Sequence, residues 1–445
     1  MPDLMDLCVA AAEAAEGEEQ VEAFAEERST TSVEAHRGEV EGLTFAESRG
    51  VGVRVISDGR LGFAHAADPS VDEVREAVGR ARANAAVASP DPFNALPAGE
   101  QAVEALDGLF SESLAGMKTD EKVPIALEME RLATSSDPRV RKTESVRYGD
   151  AIGSVAIASN QGVRAEYGAT GCWCVVVTLA EQDGDTQTGF SYRIARSIDE
   201  LKQDEVVAEA VERAARMLGA VKPETAKVPV VLDPVAASAF LGVLTDALSA
   251  DAVQKQRSLF GPLVGEQVGS SGLTIVDDGR LLDGPSASPF DGEGVPTGRH
   301  ELLTAGVLQG FMHNTYTARK GDTTSTGNAV RGYRSTPGVG TTNLFVEPGD
   351  RSLEQLLREA EGGVLVQDVS GVHSGANPVS GEFSVGATGL RIAGGAPGEP
   401  VREMTIASTI PEMLQSVSAL GDELRWFSSV GVPYILLREM TLAGV

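Results

Sequence analysis

The chain has 445 residues, 42% of them hydrophobic and 23% charged, and 65 Asp+Glu against 37 Lys+Arg give a formal net charge of −28. That length suits roughly two to four domains, and the composition is that of a folded protein rather than a disordered one. The negative charge disfavours nucleic acid, for which no Lys/Arg-rich run compensates; no apolar run approaches the ~18 residues of a membrane span; and three cysteines, Cys8, Cys172 and Cys174, cannot form a disulfide framework.

The opening Met1-Pro2-Asp3-Leu4-Met5-Asp6 is acidic, where a secretory signal needs a basic segment. A cytoplasmic location is expected. A helix-like run covers Leu4 to Ala15. Val51, Val53 and Val55 then share one face with Gly52 and Arg54 on the other, which reads as a strand. Ser57-Asp58-Gly59-Arg60 carries Asp-Gly hairpin chemistry, and Leu61 to Ala66 returns. The pattern predicts an antiparallel meander from Gln20 to Ala66. Ser70 is a cap candidate for the next helix, with Asp72 and Glu73 in its first turn. Val71, Val74, Ala77, Val78, Ala81 and Ala85 fall at helical spacing, and Ser89-Pro90-Asp91-Pro92 ends the run.

A Pro- and Gly-bearing connection follows, then a helix over Asp120–Ser135, long strands from Val146 to Ile194 and a helix over Ile198–Leu218. Val221-Lys222-Pro223-Glu224-Thr225 reads as a linker, so a boundary near residue 222 divides the chain into 1–222 and 223–445. After it come a strand at Val228–Leu232, a helix from Pro234 to Gln254, and Gly-rich strands with helices near 352–361 and 411–420. Strands and helices do not alternate as βαβ units, so the expected class is α+β. The first half should be an antiparallel sheet with helices, the second strand-rich. No solenoid-type repeat is present.

Catalytic signatures are missing. The histidines are His36, His65, His300, His313 and His373, and no two fall three to five residues apart. His300-Glu301 begins like a zincin helix, but position 304 is Thr, and Gly306 makes the stretch a hairpin. Cys172 and Cys174 share a strand face, yet two thiolates alone are not a tetrahedral zinc site; they read as small buried residues around Trp173. There is no Gly-x-Ser-x-Gly elbow, and Gly321–Gly327 lacks the P-loop lysine. Two polar segments stand out instead. Asn314-Thr315-Tyr316-Thr317-Ala318-Arg319-Lys320 runs as a Gly-flanked loop into Thr323–Asn328, and the second segment is His373–Ser384. Composition alone leaves binding loops and ordinary turn chemistry equally open.

At these segments the sequence resembles the TldD/PmbA family, also called modulator-of-gyrase proteins. The matching stretches are Phe290–Thr297, the hairpin Leu302–Gly310, Asn314–Lys320, Ser325–Ala329, Gly375–Ser384, Leu436–Met440 and the strand Gly50–Arg54. The resemblance spans essentially the whole chain. It implies a TldD/PmbA-like α+β fold and a two-subunit zinc metalloprotease acting on extended or unfolded peptides. The TldD-type subunit carries a His-Glu-x-x-x-His helix and a later Cys ligand; the PmbA/TldE-type subunit lacks them. Here Leu241, Gly242 and Asp246 stand in the corresponding register, and Ser428-Ser429-Val430-Gly431-Val432 has no Cys.

The expectation is therefore a non-catalytic subunit with no catalytic or metal residues. Zinc would sit only in a TldD-type partner, with which this chain would form a heterodimer, or a homodimer in its absence, chiefly through the second half. Tyr316, Arg319, Asn328, His373 and Asn377 are expected to approach one another as substrate contacts. Two other readings remain: a homodimeric peptidase or hydrolase with unrecognised chemistry, and a regulatory binding protein of a DNA-topology enzyme.

Overall fold

The computed structural model describes residues 2–99 and 103–444. Asp3 caps α1 (Leu4–Glu13) by accepting from the Met5 amide, and Leu7, Cys8 and Ala11 point inward. The meander follows as β1 (Gln20–His36), β2 (Glu39–Ser57) and β3 (Arg60–Ala67). Asp58 and Gly59 both take positive φ, as the tight β2–β3 turn requires. Ser70 and Glu73 form a reciprocal capping box at the start of α2 (Val71–Val87). After a connection holding the short α3 (Glu112–Ala115), the order recurs: α4 (Thr119–Ser136), β4 (Val140–Ser159), β5 (Arg164–Gln182), β6 (Asp185–Ala195) and α5 (Gln203–Ala215).

The first half is thus one helix–three strands–helix unit used twice. The strands make a single antiparallel sheet, ordered β3-β2-β1-β4-β5-β6, with the two units joined at the β1–β4 pair. Each unit seats its closing helix on a glycine of its last strand. A Cβ on Gly62 would collide with the Ala81 carbonyl oxygen and the Ala85 amide of α2, and one on Gly189 with the same atoms of Ala210 and Ala214 of α5. Cys172 and Cys174 are buried on one face with free thiols, among the side chains packed under α4 and α5.

The second half is mixed. β7 (Ala226–Leu232) leads into α6 (Pro234–Ala247) and α7 (Ala250–Gln254). There follow β8 (Ile275–Asp278), β9 (Arg299–Thr304), β10 (Val307–Leu308), α8 (Thr315–Lys320), β11 (Ala329–Val330), β12 (Gly338–Val339) and β13 (Leu344–Val346). The remainder is α9 (Leu353–Glu359), β14 (Val364–Ser370), α10 (Val372–Gly375), β15 (Glu382–Ala393), β16 (Ala396–Thr409), α11 (Ile410–Ser416), β17 (Val417–Leu420), β18 (Arg425–Phe427), β19 (Val430–Val432) and β20 (Ile435–Ala443). One sheet runs β10-β9-β8-β13-β19-β18 and another β16-β15-β14-β7-β20-β17. The extra β16–β20 pairing closes β16, β15, β14, β7 and β20 into a ring. Phe240, Leu241 and Leu244 of α6 fill the core between the sheets, against Val366, Val432 and Leu437.

The α+β class stands, and four local readings are corrected. The helix expected over Ile198–Leu218 begins as a 3₁₀ turn at Ile198–Glu200, and Lys202 (φ 44°) separates it from α5. The helix expected over Pro234–Gln254 breaks at Ser249, which caps α7 by accepting from the Asp251 amide. The Ala250 amide donates instead to the Met312 carbonyl, and the Met312 amide to that of Leu248. Near 411–420 the helix stops at Ser416, and Val417–Leu420 joins β20 as a strand. Asn314–Lys320 is a capped helix rather than a loop.

Candidate site at the seam between the halves

The first of the polar segments singled out by the sequence, together with Phe290–Thr297, builds a seam between the two halves. Asp291 folds the Phe290–Thr297 stretch around its own carboxylate. Its Oδ1 accepts from the Glu293 and Val295 amides (2.8 and 3.0 Å) and its Oδ2 from the Ala329 amide (2.9 Å). That turn aims Glu293 at the first half. Glu293 Oε1 accepts from Arg54 Nη1 of β2 (2.9 Å), and Oε2 from the Thr315 amide that opens α8 (2.8 Å). Arg54 also holds Glu22, its cross-strand partner on β1, through Nε (2.9 Å) and Nη2 (2.7 Å). Arg331 donates to Glu22 from the far side, and its guanidinium lies 4.9 Å from the Phe24 ring centroid.

All four charged side chains are buried. Burial pushes the Glu22 carboxyl up, but the charges of Arg54 and Arg331 outweigh it and hold it below the usual carboxylate range. Asp291 has no such cation. Burial, then the neighbouring Glu293 charge, push it well above its usual range.

A second polar network supports α8 and the strands beside it. Asp277 Oδ2 accepts from Asn328 Nδ2 (2.7 Å) and Thr342 Oγ1 (2.7 Å), and Oδ1 from the Thr342 amide (2.9 Å). Thr326 donates to Asn328 Oδ1 (2.6 Å), completing that amide. Burial raises Asp277 to about 6, even though these hydrogen bonds favour its charged form.

Against the ion network lies a cavity of about 540 Å³, lined from the first half by Arg54, Asp91 and Asn94 and from the second by Lys255, Glu293 and Tyr316. Tyr316 donates from its hydroxyl to Asp91 Oδ2 (2.9 Å) and meets Phe93 edge-on. Arg319 donates to the carbonyls of Phe93 (3.2 Å) and Pro92 (3.3 Å). Both α8 side chains therefore clasp the connection after α2. The cavity offers both signs of charge and polar groups from each half. That is chemistry suited to an extended polar chain.

The five residues expected to converge do not form one cluster. Tyr316 and Arg319 share the α8 face, and Asn328 is buried on Asp277. His373 is exposed on α10, and Asn377 heads its own turn, accepting from the Val379 and Ser380 amides (2.8 and 3.1 Å). Among the described residues, no hydrogen bond, ion pair or ring contact joins His373 or Asn377 to the other three. Glu22, Arg54, Glu293 and Arg331 were not singled out from sequence. A signal was there: a Glu within Val21–Ala25 and an Arg within Val51–Val55 fall opposite each other once the meander is paired.

The register that the resemblance assigns to zinc ligands falls on α6, which packs against β19, so the two segments implicated by that expectation do meet. Leu241 is buried in the core, Gly242 has no side chain, Asp246 is exposed, and Ser428 and Ser429 precede β19. Zinc takes three or four nitrogen, sulfur or oxygen donors at roughly 2.0–2.3 Å. One carboxylate on an otherwise apolar turn does not fit that set. Among the described residues no three His, Cys, Asp or Glu side chains gather as a ligand group.

Three family models match: PmbA/TldA metallopeptidase domain 1 over residues 21–85, the central domain over 112–218 and the C-terminal domain over 225–444. The first model covers β1 to β3 and most of α2 but not α1, and the second spans the whole second copy of the unit. The chain is 28% identical over 414 residues to the metalloprotease PmbA of Escherichia coli O157:H7, covering 93% of this chain and 90% of that protein. Its fold matches the crystal structure of a proposed modulator of a DNA gyrase from Thermotoga maritima at a TM-score of 0.90, with 27% identity and 98% of each chain covered. It matches that of TldE from Thermococcus kodakarensis at 0.89, with 23% identity and 99% of each chain covered, a likeness of fold. The chain belongs to the PmbA/TldD family.

Proposed function

We propose that this chain is the non-catalytic, PmbA/TldE-type subunit of a TldD/TldE-type cytoplasmic zinc protease acting on extended or unfolded peptides. The observation that carries the reading is α6. The helix is intact and packed on β19, and it carries Leu241, Gly242 and Asp246 in the register that the resemblance assigns to zinc ligands and a general base. In this reading zinc belongs to a TldD-type partner. This chain stabilises that partner and shapes the space that holds the peptide.

The seam cavity is the proposed peptide-facing surface. Tyr316 and Arg319 orient its wall, Asn328 braces it through Asp277, and His373 and Asn377 belong to a separate exposed turn that contacts the peptide or partner further out. The division near residue 222 belongs to the same proposal. An extended peptide bound by main-chain hydrogen bonds is held with little sequence preference, which suits a substrate defined by being unfolded. A cytoplasmic setting fits three free, buried thiols, and no helix among the described residues is long and apolar enough to cross a membrane.

The test is co-expression with a TldD-type relative, followed by metal analysis and peptide cleavage by each subunit alone and by the pair. The reading requires co-purification, with cleavage and zinc following the partner. A zinc-loaded preparation of this chain alone that cleaves peptides would end it.

A further inference from the structure

β11 and β12 form a two-stranded sheet, and its free edge is a wall of the seam cavity. Thr336, Pro337, Gly338 and Val339 line that cavity together with Asp91, Asp251, Lys255 and Tyr316. The direction of the edge follows from the register, in which Ala329 pairs with Val339 and Val330 with Gly338. The Gly340 amide donates to the Asn328 carbonyl (3.0 Å), so Asn328 and Gly340 face each other as a hydrogen-bonded pair. In an antiparallel ladder the next pair, Ala329 and Val339, turns its backbone groups outward. Ala329 does so on its own side, where its amide donates to Asp291 Oδ2 (2.9 Å) and its carbonyl accepts from the Gly292 amide (2.8 Å). Val339 is half-buried, and among the described residues neither its amide nor its carbonyl has a hydrogen-bond partner. A donor and an acceptor left unmet in one extended residue match the backbone of an added strand. Two residues back, Pro337 offers a carbonyl but no amide, which ends the ladder there.

The charges on the cavity wall select among strands. Arg54 is paired with Glu293, and Lys255 with Asp251. Asp91 has only neutral donors, the Tyr316 hydroxyl and the Phe93 amide. It is the one uncompensated charge of the lining, and the whole chain is at −28. We propose that β12 is the edge on which the peptide main chain docks, through the amide and carbonyl of Val339, and that the peptide it takes is basic. A Lys or Arg side chain of the bound strand pairs with Asp91 and fixes the register, and acidic strands are repelled. The inference rests on the seam cavity being the peptide-facing surface, and adds to that reading the docking edge and the charge of the substrate.

Fluorescence anisotropy of labelled, unstructured peptides with one central Lys or Glu tests it, using the full chain alone and in complex with a TldD-type subunit. The Lys peptide should bind about fivefold or more tightly than the Glu peptide. Asp91→Asn keeps an acceptor for Tyr316 and should abolish that preference. Val339→Pro deletes the outward amide without touching the β11 pairing, and should weaken binding about tenfold. Val339→Thr keeps the amide and should bind as wild type does. N-methylation of the peptide reads the same bonds from the other side and needs no altered protein. It should weaken binding at alternate residues around the Lys, because only every second residue of a strand faces one neighbour. No binding by either the chain or the complex, wild-type affinity in Val339→Pro, N-methyl losses without alternation, or a preference for the Glu peptide would overturn the proposal. The two readings fail separately: zinc and cleavage in this chain alone would end the subunit assignment, whereas these affinities do not depend on which chain holds the metal.

Discussion

Arg54 is one of the side chains through which the two halves share charge, beside the Arg331–Glu22 and buried Arg213–Asp233 pairs, and replacing it with Met isolates its own role. Met keeps most of the aliphatic stem, so little cavity opens. Lost are two bonds to Glu22 (2.9 and 2.7 Å) and one to Glu293 (2.9 Å). Glu22 keeps Arg331, whereas Glu293 is left buried with only the Thr315 amide. Removing one partner of a buried ion pair typically costs about 3–5 kcal/mol, mostly through the charge left behind. The sequence supplies reporters, since Trp173 lies in β5 of the first half and Trp426 in β18 of the second. Urea unfolding followed by fluorescence of Trp173→Phe and Trp426→Phe backgrounds reads each half separately. With Arg54 present the two midpoints should coincide. With Arg54→Met stability should fall by about 3–5 kcal/mol and the midpoints should part. A loss below about 1 kcal/mol, the range of solvent-screened pairs, would refute the claim that this network joins the halves.

Gly62→Ala and Gly189→Ala should each destabilise by about 2–3 kcal/mol or more in urea titrations, because the added methyl strikes the backbone of α2 or α5. Near-neutral outcomes would show that the helices can shift. Asp277, raised to about 6 by burial, binds its proton more tightly folded than unfolded. Its contribution is therefore largest below pH ~4 and declines by up to about 3 kcal/mol as pH rises to 6. Asp277→Asn should remove that part of the pH dependence between pH 4 and 6, and an unchanged profile would contradict the assignment. Burial pushes the Cys8, Cys172 and Cys174 thiols up to about 12, so iodoacetamide should label none of them in the native protein at neutral pH and all three after unfolding. Rapid native labelling of any one would show that its surroundings open.

What could be read from sequence was local. Alternating valines, the Asp58-Gly59 turn and the Ser70 cap each act within a few residues, and each appears as expected. The helix break at Ser249 is a tertiary effect. The pattern across Ala247–Val253 stays helix-compatible, and the chain leaves the helix because Leu248 and Ala250 find partners on Met312. The family segments were visible as polar runs, but not what they do. Glu293 and Asp291 acquire meaning only when β2 is brought against them. The internal duplication escaped for the same reason, since its clearest mark is two glycines more than a hundred residues apart under different helices.

The most direct test of the non-catalytic assignment is turnover at saturating peptide in a complex reconstituted with a TldD-type subunit, comparing wild type with Asp246→Ala and His373→Ala in this chain. Asp246 is the one carboxylate in the register the resemblance assigns to ligands on α6, and His373 is exposed on α10, outside any group of three ligating side chains among the described residues. With assembly verified, both variants should keep turnover within a few-fold of wild type, with any change falling on peptide affinity. A loss of about a thousandfold at saturation, roughly 4 kcal/mol of transition-state stabilisation, would show that this chain supplies catalytic groups and that the assignment is wrong.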